Sequence, residues 1–161
     1  MTGLRALLVD DENCVLESLV LMLEISGFEI AGTASDLAGA VKLASEAHAD
    51  VAILDINLGR ELVFPAADVF AAREIPILFT SGRWIKLPPR FSSTTFIEKP
   101  YSPEILIDQA ERLASNVNAM RLAAQRILDH SAARVFSAMV KTGAESLSES
   151  LKPKPKRKPK G

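Results

Sequence analysis

The chain has 161 residues, 48% of them hydrophobic and 24% charged, a composition that sustains one well-cored domain with an appendage and excludes disorder throughout. No run approaches the roughly 18 unbroken apolar residues of a membrane span, and Arg5, Asp10, Asp11 and Glu12 interrupt the N-terminal region before a signal-peptide core could form, so a cytoplasmic protein without membrane contact is expected. The net charge of −1 conceals a division: Met1 to Leu151 carries 20 acids and 13 bases, whereas Lys152 to Gly161 carries six bases and no acid.

Leu4 to Val9 is a short apolar run that stops at acids, as a buried parallel strand does. From Asn13 to Ser26 the period changes: Val15, Leu16, Leu19, Val20, Met22 and Leu23 recur at helical spacing, and Gly27 follows as a C-cap. Cys14 on this helix reads as a packing residue; one thiol with two scattered histidines, His48 and His130, excludes disulfide and zinc scaffolds. Phe28 to Thr33 reads as a second strand, and Ser35 as the cap of a helix whose Leu37, Ala40, Val41 and Ala44 share a face. Val51 to Leu54 is a third strand ending at Asp55, Ala66 to Arg73 a short helix, and Ile77 to Phe79 a fourth strand.

Gly82 to Thr94 holds Pro88, Pro89 and an Arg83-Trp84 pair with no helical stripe, the mark of a functional or mobile loop. Trp84 and Arg83 there suit a partner contact, or Trp84 a seal over the sheet edge. Thr95 to Ile97 is a fifth strand and Ser102 to Ala114 the last helix of the set. Beyond it, apolar residues from Val117 to Met139 imply one or two extra helices to about Lys141, then a linker from Thr142 to Leu151. The segment 152–161, with prolines at 153, 155 and 159 and no apolar side chain, reads as a disordered basic tail.

Strands alternating with helices imply a doubly wound α/β fold, a five-stranded parallel sheet covered on both faces. Ligands of such sheets bind at the carboxyl ends of the strands. Those ends deliver Asp10, Asp11 and Glu12, then Asp55, then Thr80, Ser81 and Gly82, then Glu98 and Lys99. Carboxylates gathered at one edge repel unless a cation lies between them, and hard oxygen ligands suit magnesium. Lys99 would pair with Asp55 or with an oxyanion attached to it, while a hydroxyl of the fourth strand bonds another oxygen of that group. Together these describe a phosphoryl acceptor site. Each member alone has an ordinary explanation, an Asp-Asp helix cap, a Lys-Pro turn, a Thr-Ser-Gly loop start or an Asx-turn at Asp55. Their convergence on one sheet edge is what points to chemistry.

L-L-V-D-D-E at 7–12, I-L-D-I-N at 53–57, I-P-I-L-F-T-S-G at 75–82 and E-K-P-Y at 98–101 resemble the receiver domain of bacterial two-component response regulators, over about residues 4 to 115. The resemblance implies a flavodoxin-like receiver at 1–115, to which the residue patterns beyond it add a helical extension at 116–141 and a linker with a Lys/Pro-rich tail at 142–161. It implies that Asp55 is the phosphoacceptor, that Asp10 and Asp11 with Asp55 hold Mg2+, that Asn57 offers a backbone carbonyl to the metal, and that Lys99 is the family's lysine. Ser81, five residues after Pro76, matches the switch hydroxyl, with Thr80 the alternative; Phe96 matches the aromatic switch position or is a core phenylalanine. Phe79-Thr80-Ser81-Gly82 is similar to the Phe-Ala-Thr-Gly of a subgroup of single-domain regulators.

Two features depart from the family: Leu58-Gly59-Arg60-Glu61 replaces the usual loop after the acceptor, and the fourth helix is reduced to the 83–90 segment. The implied function is a signalling phosphoacceptor, not an enzyme beyond self-catalysed phosphotransfer and dephosphorylation. Its donor would be a histidine kinase or phosphotransfer protein and its target a protein. A homodimer is left open, and nucleic acid contact is confined to the basic tail. Two other readings stand beside this one: a magnesium-dependent phosphatase or phosphotransferase with an aspartate nucleophile, which would place a second aspartate where Asn57 stands, and a receiver-like interaction module that is never phosphorylated. His130 reads as a surface or packing histidine before a phosphorelay one.

Overall fold

The computed structural model describes the backbone of residues 3–150 and the side chains of residues 3–142. The basic segment 152–161, expected to be disordered, lies outside the described residues. Strands β1 (Arg5–Val9), β2 (Glu29–Ala34) and β3 (Val51–Asp55) alternate with helices α1 (Asn13–Ile25) and α2 (Leu37–Glu46). A two-stranded hairpin, β4 (Asn57–Leu58) and β5 (Glu61–Leu62), precedes α3 (Phe64–Ala72); then come β6 (Ile77–Ser81), a 3-10 turn at Pro89–Phe91, β7 (Thr95–Glu98) and α4 (Pro103–Ser150). The five long strands form one parallel sheet in the order β2-β1-β3-β6-β7. The fold is the doubly wound α/β arrangement that the alternation of elements requires.

All five residues of β3 are buried, which is why the segment is apolar without interruption. Its odd and even positions feed different layers. Ala52 and Leu54 join Leu7, Val9 and Phe79 under the Ala40 and Ala44 face of α2 and the Phe64, Ala67 and Phe70 face of α3. Val51 and Ile53 join Ala6, Leu8 and Leu78 under α1 and α4. From α1 come Leu16, Leu19 and Leu23, and from α4 Leu106, Ala110 and Ala114, each set at helical spacing. At about 1.5–3 kcal/mol per fully buried aliphatic side chain, these two layers supply the driving force that fixes the strand ends in place.

Several boundaries correct the sequence reading. The cap of α2 is Asp36, whose Oδ1 accepts from Gly39 N at 2.7 Å, and not Ser35. Helix α3 begins at Phe64, because Pro65 in its first turn gives up no needed N–H. Strand β6 runs two residues past Phe79, so Thr80 and Ser81 are ladder residues paired in register with Ile97 and Glu98. The hairpin went unread: Gly59, at φ 63, leads a two-residue loop between Leu58 and Glu61, the place where a left-handed residue matches strand twist.

No α-helix lies between β6 and β7 among the described residues. Phe91 of the 3-10 turn fills the place instead, packed against Phe64 and Phe79 at ring separations of 5.9 and 5.4 Å. Trp84 does not seal the edge, since it is 80% exposed, and Cys14 is exposed where packing was expected. The last helix is continuous from Pro103 to Ser150, replacing both the expected break after Ala114 and the linker from Thr142. The sequence between Ala114 and Ser150 contains no proline, so nothing terminates it. Residues through Ala119 form one compact unit and the chain from Met120 onward another. No helix among the described residues is long and apolar enough to cross a membrane.

Candidate functional site

Asp10 follows β1, Asp55 ends β3, Ser81 ends β6 and Lys99 follows β7, so four strand ends converge at one edge of the sheet. Asp10 and Asp55 are buried there, and Asp11 is exposed beside them. One oxygen from each of the three carboxylates lies within 4.8 Å of the others. Lys99 Nζ donates to Asp10 Oδ2 and to Asp55 Oδ2, both at 2.7 Å. The remaining oxygens are held by backbone: Glu12 N donates to Asp10 Oδ1 at 3.0 Å, Asn57 N to Asp55 Oδ1 at 3.0 Å, and Gly59 N to Asp11 Oδ2 at 2.8 Å. The last of these gives the hairpin its role, since its turn glycine orients an acid of the cluster. Sequence spacing carried no signal for that contact, which joins residues 48 apart.

Burial pushes the Asp55 carboxyl above the usual carboxylate range, against the hydrogen bonds from Lys99 and Asn57 N that favour its ionised form. Burial also disfavours the Lys99 ammonium, but its bonds to Asp10 and Asp55 outweigh that and hold it well above the ordinary lysine value. The two shifts pull the ion pair in opposite senses. Three carboxylates against one ammonium still leave the cluster negative. A second cation of compact, oxygen-seeking type fits that donor set: hard, closely spaced carboxylates at the mouth of a cleft of about 270 Å³ that admits water.

The same cleft is bordered by Asn57, Gly82 and Arg83. Asn57 donates from Nδ2 to Ser81 Oγ at 2.9 Å, and Ser81 Oγ in turn donates to Arg83 O at 2.9 Å. Ser81 therefore bridges the segment after Asp55 to the segment after β6. Thr80 is buried beside Asp55 in the strand register, and neither it nor the fully buried Ser81 borders the cleft; what distinguishes Ser81 is its bond to Asn57, a residue that does. Phe96 is half-buried and packs on the α2 and α3 layer of the core. His130 is exposed on α4. Asp10, Asp11, Asp55, Asn57, Ser81 and Lys99 are thus brought together, and His130 and Cys14 take no part in the hydrogen bonds or ion pairs of that cluster.

Residues 6–82 match the family described as response regulator receiver domain. Over 116 residues the chain is 30% identical to the transcriptional regulatory protein PdtaR of Mycobacterium tuberculosis, a match covering 69% of this chain and 57% of that protein. It is also 30% identical to SdrG of Sphingomonas melonis Fr1, whose solution structure matches with a TM-score of 0.61 over 71% of this chain and 98% of that one. The receiver domain of a sensor histidine kinase from Pseudomonas aeruginosa PAO1, crystallised with a magnesium ion coordinated in its active site cleft, shares the fold at 20% identity and a TM-score of 0.61, covering 70% of this chain and 98% of that one. The chain spans only part of the curated relatives it matches, from 23% of their length to 57%. Lys99 lies beyond the matched residues, yet the sheet returns it to Asp55. On its sheet topology, its strand-end acids and these likenesses, the chain belongs to the response regulator receiver family.

Proposed function

We propose that Asp55 accepts a phosphoryl group from a histidine kinase or a phosphotransfer protein, in a magnesium-dependent relay whose output is a protein contact. The observation that carries this reading is the position of Lys99 Nζ, 2.7 Å from both Asp10 and Asp55 within a cluster of three strand-end carboxylates. Asp55 attacks phosphorus with a carboxylate oxygen, forming the new P–O bond as the bond from phosphorus to the donor's imidazole nitrogen breaks; the departing nitrogen keeps the electron pair. Asp10, Asp11, Asp55 and the backbone carbonyl of Asn57 would hold magnesium, which when bound supplies charge compensation for the phosphoryl oxygens. Lys99 then turns from the Asp55 carboxylate toward an oxygen of the attached group. Ser81, freed from Arg83, donates its hydroxyl to another.

The amide of Asn57 is not titratable and cannot exchange a proton as general acid or base, and its N–H is engaged with Ser81, which favours a phosphoacceptor over an aspartate-nucleophile phosphatase. The test is the intact mass of the chain after incubation with acetyl phosphate and magnesium. A gain of one phosphoryl group, lost in Asp55→Asn and without magnesium, is expected. Labelling that persists in Asp55→Asn would move the site, and no labelling in the native chain would leave a receiver-like interaction module.

A further inference from the structure

Every residue from Ala119 to Thr142 is exposed, although this stretch of α4 is rich in large apolar side chains. Eight of them between Met120 and Val140 are exposed by 55% or more, and Met120 by 72%. Apolar surface of that extent is uncommon on a soluble chain without a partner to cover it, and a long helix draws most of its stability from the packing of its apolar face. Leu128 and Val135 recur seven residues apart; Ala124, Ser131 and Ala138 recur at the same interval, three or four residues away from them. This is the spacing of a two-helix seam, with large residues at one position and small ones at the other.

We infer that a second copy of this chain covers this face, its helix antiparallel to the first. Five of the eight, Met120, Ile127, Leu128, Val135 and Met139, lie on the same side of the helix as Ala124, Ser131 and Ala138; at roughly 100 Å² apiece, with the small residues between them, they reach the order of 600 Å² per partner, the lower end of what specific interfaces use. Charge selects the direction. Through Ala119 the chain carries 17 acids and nine bases, and from Met120 onward three acids and ten bases. Parallel pairing sets two strongly basic ends side by side. Antiparallel pairing sets each basic end toward the partner's acidic half, and like charges are separated. A two-fold axis near Ser131 then sets Leu128 of one protomer against Val135 of its partner and Ala124 against Ala138, where the small side chains let the helices approach closely.

Sedimentation equilibrium of the full chain at tens of micromolar should give twice the chain mass. Leu128→Glu combined with Val135→Glu should return the mass of one chain with the thermal midpoint of the receiver unchanged, and Arg126→Gln, away from the seam, should leave the dimer intact. For direction, Ala124→Cys and Ala138→Cys are prepared separately in a Cys14→Ser background. Mixing and mild oxidation should join one variant to the other, whereas each alone should remain uncrosslinked. A single-chain mass at all concentrations, self-crosslinking of each variant alone, or retention on phosphatidylglycerol vesicles abolished by the Leu128 and Val135 substitutions would overturn the proposal. The last result would assign the face to a lipid surface.

Discussion

The side-chain amide of Asn57 donates to Ser81 Oγ at 2.9 Å, tying the segment just after Asp55 to the last residue of β6. Ser81 is fully buried and also accepts from Arg83 N at 3.2 Å, so Ser81→Ala leaves two donors short of an acceptor. The substitution should cost about 1–2 kcal/mol in urea unfolding. Labelling of Asp55 should survive it, whereas the slowing of hydrogen exchange in 82–94 on phosphorylation, expected in the native chain, should vanish. Thr80→Ala should keep that slowing; its loss in Thr80→Ala and survival in Ser81→Ala would exchange the two roles.

Removal of Lys99 should damage the fold more than removal of Asp55. Lys99→Met leaves Asp10 and Asp55 buried without their shared cation, a loss of about 3 kcal/mol. Asp55→Asn instead relieves a carboxylate that burial already disfavours, and should be neutral or stabilising by up to about 1 kcal/mol. Chemical denaturation of the two variants without magnesium checks the order, and added magnesium should stabilise the native chain relative to Asp55→Asn, offsetting or reversing any advantage of the variant.

The pH dependence has a definite sign. Because the native Asp55 carboxyl titrates above its ordinary value of 3.8, its ionised form costs stability at neutral pH, and the cost is relieved as pH falls through the raised value. Asp55→Asn should therefore flatten the stability profile on the acid side. Phosphorylation by acetyl phosphate, which needs the ionised carboxylate, should decline at a higher pH than an exposed aspartate would give. The Lys99 contribution behaves oppositely: it is fully present below the ordinary lysine value of 10.5 and is lost only as pH rises through the elevated one, outside the neutral range.

Asp11→Ala should weaken magnesium binding by tenfold or more, with a stability change under about 1 kcal/mol, since the residue is exposed and its partner is one backbone N–H. Asp10→Ala should instead lower stability, because Asp10 is buried against Lys99. The single tryptophan, Trp84, exposed next to Arg83 at the cleft, gives the readout by fluorescence titration. Equal loss of magnesium affinity in both variants, with no difference in stability, would contradict this division of labour.

The acids, the lysine and the five strands were legible because strand-end residues in a parallel sheet must converge on one edge, whatever the loops do. The hydrogen bond from Gly59 N to Asp11 was not, since a two-residue turn leaves a weak local signal and its partner is remote in sequence. Nor was the pairing of Asn57 with Ser81 foreseeable from spacing. Beyond Lys141, Gly143 and three serines are weak helix formers, yet weak propensity without a proline does not stop a helix already under way, so the expected linker is helix through Ser150.

The connection between β6 and β7 is clamped at both ends. At its start Ser81 Oγ exchanges hydrogen bonds with the backbone of Arg83; at its far end Arg90 grips Asp68 through Nε at 2.6 Å and Nη2 at 3.1 Å, and Phe91 is wedged between two other rings. A beam fixed at both supports cannot swing. It can only bow in the middle. A rearrangement of Ser81 would therefore be taken up over residues 84–88, where Trp84 is 80% exposed. In place of an α-helix between β6 and β7, this receiver has a short span held at both ends, and under the proposed phosphorylation its middle is where a change at the carboxylate beneath would surface.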